Sequence, residues 1–145
     1  MGFEMDPREL SSEDKLILKS VTQWWKENRD WMMNANILRL PCIDKSVIAE
    51  IQMNSNRDHF VVFAGQNVAS ELSSSAPLVL AGLESQSMYN ISLLNKKEIK
   101  SLGKLQQGLM TKKLKLSGQY LMTKGLQLPK VFPANMMVIE GDKAA

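Results

Sequence analysis

The spacing of apolar residues changes at Pro41, and this change limits the possible folds more than any other feature of the sequence. Before Pro41, residues such as Ile17, Val21 and Trp24 recur at helical spacing. After it, the segment "VIAEIQM" (47–53) alternates between two faces, as half-buried strands do. The sequence therefore predicts one long helix followed by a region built mainly of strands.

The helix is predicted over residues 11–33. Ser11 or Ser12 is suited to cap its first turn, and Glu13 and Asp14 lie near the positive end of its dipole. Three tryptophans lie on or beside its apolar face. Two roles stay open for them: packing against a sheet, or contact with lipid headgroups, where tryptophan is enriched.

Strand and turn signals divide the rest of the chain. An antiparallel meander is predicted at 47–53, 59–64 and 68–72. The segment 73–86 is left open between a loop, a short strand and a helical turn. A strand at 87–94, two short helices at 95–103 and 106–110, and a returning strand at 113–118 follow. The order predicts an α+β fold, a mainly antiparallel five-stranded sheet covered by helices on one side.

Groups able to do chemistry are scarce. His59 is the only histidine and Cys42 the only cysteine, so an internal disulfide and a cysteine metal cluster are excluded. Nucleophile, nucleotide and zinc motifs are absent from the sequence. We therefore expect no enzyme activity, no catalytic residue, no metal and no cofactor. The lone cysteine and the lack of an apolar run of about 20 residues predict a soluble intracellular protein.

The stretch "ISLLNKKEIKSLGKLQQGLMTKKLKLSGQYLMTKGLQ" resembles the C-terminal half of the sterol carrier protein type-two domain. The similarity is strongest in "KLKLSG" (113–118), which is similar to the final strand of that family. The resemblance implies a lipid-binding domain over residues 11–127, preceded by a segment at 1–10 and followed by an apolar tail at 128–145. It also implies an apolar tunnel for fatty acyl chains, acyl-CoA, sterols or phospholipids.

The resemblance also implies which residues line that tunnel. Its wall would consist of Ile91, Ile99, Leu102, Leu105, Leu109, Met110, Leu121 and Leu126. The implied function is non-enzymatic binding or transfer of lipids. The alternative is an interaction module of the same fold, a structural subunit of a larger assembly that binds a protein partner through the tail.

Nine lysines and a single glutamate lie in residues 96–130. Nucleic acid is not an expected partner, because this block lacks the arginines that read bases and phosphates. Lys112, Lys113, Lys115 and Lys124 are predicted to dock on an anionic membrane or an acidic protein, since each lysine near such a bilayer contributes about 1 kcal/mol. A purely solubilising lysine face remains the alternative.

Overall fold

A computed structural model describes residues 5–102 and 108–145. Contacts divide the chain into two compact units, Met1–Asn34 and Ala35–Ala145. The first unit contains the long helix and the second contains all the strands.

Helix α1 spans Ser12–Met32. The Ser11 hydroxyl accepts the backbone N–H of Asp14 at 3.1 Å, and the backbone N–H of Met33 donates to the carbonyl of Arg29 at 2.8 Å. The predicted helix is confirmed, since each boundary lies within one residue of the expected one. No described helix is both long and apolar enough to cross a membrane.

The second unit is built on a six-stranded sheet in which every neighbouring pair is antiparallel. Its strand order is β1-β2-β3-β8-β5-β6, and β4 pairs with β7 in a separate two-stranded sheet. The strands are β1 Asn36–Leu40, β2 Val47–Met53, β3 His59–Gln66, β4 Pro77–Leu78, β5 Met88–Leu93, β6 Leu114–Ser117, β7 Leu126–Gln127 and β8 Asn135–Lys143.

One face of the sheet carries the core, because strand residues alternate between the two faces. On β2 this inner face presents Ala49, Ile51 and Met53, all at most 3% exposed. The rings of Phe60 and Tyr89 meet edge to face with centroids 5.6 Å apart. The Tyr89 hydroxyl donates to the carbonyl of Arg57 at 2.8 Å and accepts the N–H of Glu84 at 3.1 Å, so it joins two turns to the core.

The predicted C-terminal tail is wrong. Part of residues 128–145 forms β8, which lies in the interior of the sheet between β3 and β5. Met137 and Ile139 are buried in the core at 1% and 0% exposure. The apolar character of this segment arises because it is a strand. Its pairing partners on β3 lie 69 to 83 residues earlier, beyond any local signal.

The predicted five-stranded sheet with a helical cover is also wrong. The sheet has six strands, and the described part of this unit contains only one short helix, α2 Gly118–Thr123, and a 3₁₀ turn at Gly108–Met110. Residues 68–72 form no strand, and residues 95–98 form turns where a helix was expected. Strands β1 and β8 of this sheet were not predicted from the sequence.

Candidate functional site

A shallow cleft of about 440 Å³ lies on the outer face of the sheet, opposite the core. Strands β1, β2, β3 and β8 contribute its walls. The lining residues are Arg39, Ile48, Ala49, Glu50, Gln52, Phe63 and Met136.

The polar side of the cleft comes from β1 and β2. Arg39 and Glu50 are register partners, so their side chains project from the same face. The Gln52 amide donates to the Glu50 carboxylate at 3.0 Å. Among the described residues, no ion pair within 4.0 Å joins Arg39 to Glu50. The cleft therefore presents a guanidinium, a carboxylate and an amide with capacity for further hydrogen bonds.

The apolar side of the cleft comes from Ile48, Phe63 and Met136. Ile48 and Met136 are 49% and 53% exposed, and the Phe63 ring is half-buried. The Met136 methyl lies over Gly65, 3.7 Å from the position that a Cβ would occupy there. Apolar side chains on this outer face are unusual for a sheet whose other face already holds a core.

A second polar group lies at one end of β3 and β8. His59 Nδ1 contacts the carboxylate of its register partner Asp142, and His59 Nε2 lies 3.4 Å from Glu140 Oε1. The bond to Glu140 raises the pKa of His59 most, burial opposes this rise, and the charge of Asp142 adds to it. The two carboxylates therefore stabilise the protonated form of the His59 imidazole. Within the described ranges, no group of three or more His, Cys, Asp or Glu residues is placed to hold a metal ion.

A third group surrounds the buried carboxylate of Asp44. Its oxygens accept the hydroxyls of Ser46 and Ser70 at 2.5 Å each and the Ser46 N–H at 2.9 Å. Burial alone would raise the pKa of Asp44, but these bonds and the charge of Lys130 together lower it. Lys130 donates to the Leu72 carbonyl at 2.9 Å, so this group fixes the loop that follows β3.

The residues predicted to line a lipid tunnel belong mostly to the solid core. Ile91, Ile99, Leu109, Leu121 and Leu126 are at most 8% exposed within one cluster, and Met110 packs against it. Leu102 is exposed at 37%, and Leu105 lies outside the described residues. Among the described members of this set, none lines the outer cleft.

The four predicted docking lysines, Lys112, Lys113, Lys115 and Lys124, are all exposed. Leu114 and Leu116, which alternate with them, are partly buried against the core, so the expected inward and outward alternation holds. The outer cleft was not predicted from the sequence. Strands β3 and β8 carry apolar residues on both faces, and this pattern could have indicated a second apolar surface.

Comparison with known proteins gives a family for this fold. The family model described as the glycosyl hydrolase family 36 C-terminal domain matches residues 48–144, two thirds of the chain. This range extends from the second residue of β2 through the end of β8. No curated protein matches the chain.

Several solved structures share the fold. They include an α-galactosidase from Lactobacillus brevis (TM-score 0.77, 12% identity) and the galactosidase domain of an α-galactosidase-sucrose kinase (0.76, 18%). A family 36 α-galactosidase from Geobacillus stearothermophilus has a TM-score of 0.74 and 21% identity. Each alignment covers 99% of this chain and 18% of the other. The chain thus spans about a fifth of the length of these structures.

These findings correct the proposed relationship to sterol carrier proteins. The matched family and the similar structures belong to the glycosyl hydrolases of family 36, and the described part of the second unit contains only one short helix and a 3₁₀ turn. The short motif "KLKLSG" does form a strand at 114–117, but any edge strand with alternating lysine and leucine has this appearance. Lipid binding and transfer, a lipid or membrane partner, and a carrier-like interaction module are therefore withdrawn.

Proposed function

Because this chain belongs to the glycosyl hydrolase family 36 C-terminal domain family, we propose that it acts as the non-catalytic β-sheet domain of an α-galactosidase. The observation that carries this proposal is the family match, which covers β2 through β8. The α-galactosidase activity is inferred from the similar structures, of which this chain spans about a fifth.

The distribution of carboxylates supports a non-catalytic role. Hydrolysis of a glycosidic bond ordinarily uses two carboxyl groups that face the substrate, about 5 to 9.5 Å apart. The outer cleft contains Glu50 as its only carboxylate, and the small cleft beside the loop after β3 contains only Asp44. A further cleft along α1 has no carboxylate in its lining.

The other carboxylates with described partners have structural roles. Asp142 and Glu140 contact His59, and Glu84 pairs with Lys143 at 2.7 Å. A carboxylate already neutralised by such a partner is poorly suited to protonate a leaving group. We therefore assign catalysis to another part of the α-galactosidase.

A comparison of two preparations tests the proposal. The first is this chain produced alone, and the second is the native species, isolated through a tag added to the genomic copy of this sequence. Both are assayed with an aryl α-galactoside and with raffinose. We expect hydrolysis by the native species and none above background by the chain alone.

Two results would contradict the proposal. If the chain alone hydrolyses either substrate and Glu50→Gln abolishes the reaction, the domain itself is catalytic. If the tagged native species hydrolyses neither substrate, the domain does not serve an α-galactosidase.

A further inference from the structure

Strand β1 lies at one edge of the six-stranded sheet, and β6 lies at the other. One side of β1 pairs with β2, and among the described residues no strand pairs with its other side. Every second residue of an edge strand directs its backbone N–H and C=O away from its partner. The outward side of β1 therefore presents backbone groups that a further strand can bind.

The two edges differ in the features that prevent strands of other molecules from pairing with them. Short length and lysine side chains protect an edge strand. β6 has four residues, with Lys115 inside the strand and Lys113 directly before it. β1 has five residues, pairs with β2 in an uninterrupted register, and contains Arg39 as its only charged residue. β1 is therefore the edge that is suited to bind another strand.

Apolar side chains are exposed on both faces of the sheet at the β1 edge. Ile37 is 58% exposed and Leu38 is 41% exposed. Leu38 lies on the inner face, because its register partner is Ile51, which is 0% exposed. A residue on the core side of a sheet stays accessible where a neighbouring strand is missing. An added strand would bury both side chains, and burial of apolar surface is favourable.

We propose that β1 pairs antiparallel with β1 of a second copy of this chain, so that the two sheets join across a two-fold axis. A pairing centred on Leu38 places this residue opposite its own counterpart. The apolar row of the inner face then continues from Ile51 of one copy through both Leu38 residues to Ile51 of the other. Contact between identical surfaces closes after two copies.

The charges at this edge are compatible with the pairing. Each Arg39 has Glu50 of its own chain as its cross-strand neighbour on β2. With Leu38 at the centre, Arg39 of one copy lies opposite Ile37 of the other, so the two arginines are diagonal neighbours. An arginine stem can cover apolar surface while its guanidinium stays in water. Pairing of β1 with β6 of the second copy would instead bring Arg39 near the lysines of β6, and it would not close.

An engineered disulfide tests this pairing directly. Residues opposite each other in an antiparallel pair have Cα atoms about 4.5–5.5 Å apart, a separation that a disulfide spans. Leu38→Cys is introduced into the tagged genomic copy together with Cys42→Ser, which removes the native thiol. Lys115→Cys with the same Cys42→Ser change is the matched control on the opposite edge strand. After mild oxidation, non-reducing electrophoresis and peptide mass spectrometry identify the linked residues.

We expect a disulfide between position 38 of two copies in the native species, and none between position 115 of two copies. A link from position 38 to another part of the enzyme, or no link in a folded native species, would overturn the inference. The pairing does not depend on the proposed activity, which is assayed in the same preparation with raffinose. Loss of that activity from the unmodified native species would contradict the proposed function and leave the pairing intact.

Sedimentation equilibrium of the chain alone gives an independent measurement. Leu38→Lys places a charge at the centre of the pairing, and Met88→Lys places the same charge on β5, at a position that is 38% exposed. Circular dichroism first checks that each variant is folded, and Ile37→Lys replaces Leu38→Lys if that variant is not. We expect wild type and Met88→Lys to dimerise, and the dissociation constant to rise at least about tenfold with the β1 variant. A wild-type chain that stays at 16.3 kDa at every concentration, or equal dissociation constants for the two variants, would overturn the inference.

Discussion

Gly141 lies directly against the ring of Phe60, its register partner across β3 and β8. A Cβ at this position would overlap the end of the ring. The ring has no room to move, because Phe60 is 0% exposed and packs edge to face on Tyr89. The interior strand β8 therefore requires glycine at position 141.

Gly141→Ala should lower the free energy of unfolding by about 1–3 kcal/mol, the usual cost of overpacking a core. Urea denaturation of the chain measures this change. Gly65→Ala is the matched control, because its Cβ would lie 3.7 Å from the nearest atom, the flexible Met136 methyl. If both substitutions lowered the free energy of unfolding equally, the contact with Phe60 would not be the cause of the loss at position 141.

The stability of the sheet unit should depend on the protonation of His59. The carboxylates of Glu140 and Asp142 raise the pKa of His59 above its usual value of about 6.5. A raised pKa in the folded state stabilises the protein fully below the unfolded pKa, and this contribution is lost as pH rises through the folded pKa. We therefore expect wild type to lose stability relative to His59→Gln as the pH increases from about 6.5.

Urea midpoints of both proteins over that range measure the difference. If the difference in midpoint between wild type and His59→Gln stays constant with pH, the ion pairs of His59 are not its source. If wild type instead gains stability relative to His59→Gln as the pH rises, the direction of the pKa shift is contradicted.

The Asp44 group should contribute strongly to stability. Asp44→Ala removes the acceptor for the Ser46 and Ser70 hydroxyls, and it should cost about 1.5–3 kcal/mol, as hydrogen bonds to charged groups do. Because the pKa of Asp44 is lowered, its stabilisation is present above the unfolded pKa of about 3.9 and is lost as the pH falls through the lower folded pKa. Chemical denaturation near neutral pH and at acid pH measures both effects. Glu98→Ala, at an exposed position, is the control and should change little.

Among the leucines predicted to line a tunnel, the buried ones should behave as core residues. Leu121 is 0% exposed, and Leu121→Ala should cost about 2–5 kcal/mol. Leu102 is 37% exposed, and Leu102→Ala should change the free energy of unfolding far less. Thermal unfolding of both variants gives the comparison. A nearly neutral effect of Leu121→Ala would contradict close packing around Leu121 and would favour a cavity there.

The sequence predicted local elements well where a repeating pattern carried them. The ends of α1, the span of β2 and the start of β3 follow from apolar spacing and from residues such as Ser11 and His59. β6 was also found, because Leu114 and Leu116 alternate with lysines.

The fold as a whole was not predictable in this way, because its defining contacts are long range. β8 pairs with β3 and β5, and nothing near Met137 or Ile139 in the sequence indicates those partners. β1 was missed because its apolar residues, Ile37, Leu38 and Leu40, do not alternate strictly with polar ones. Strand pairing also decides the outer cleft, since Arg39, Phe63 and Met136 meet only when four strands are assembled.

We have proposed that this chain serves as a domain of an α-galactosidase. The most direct test is gel filtration of the tagged native species, with α-galactosidase activity and peptides from residues 48–144 measured in every fraction. We expect one peak that contains both, at a size larger than the isolated chain of 16.3 kDa. Peptides that elute at the size of the isolated chain, in fractions without α-galactosidase activity, would contradict it.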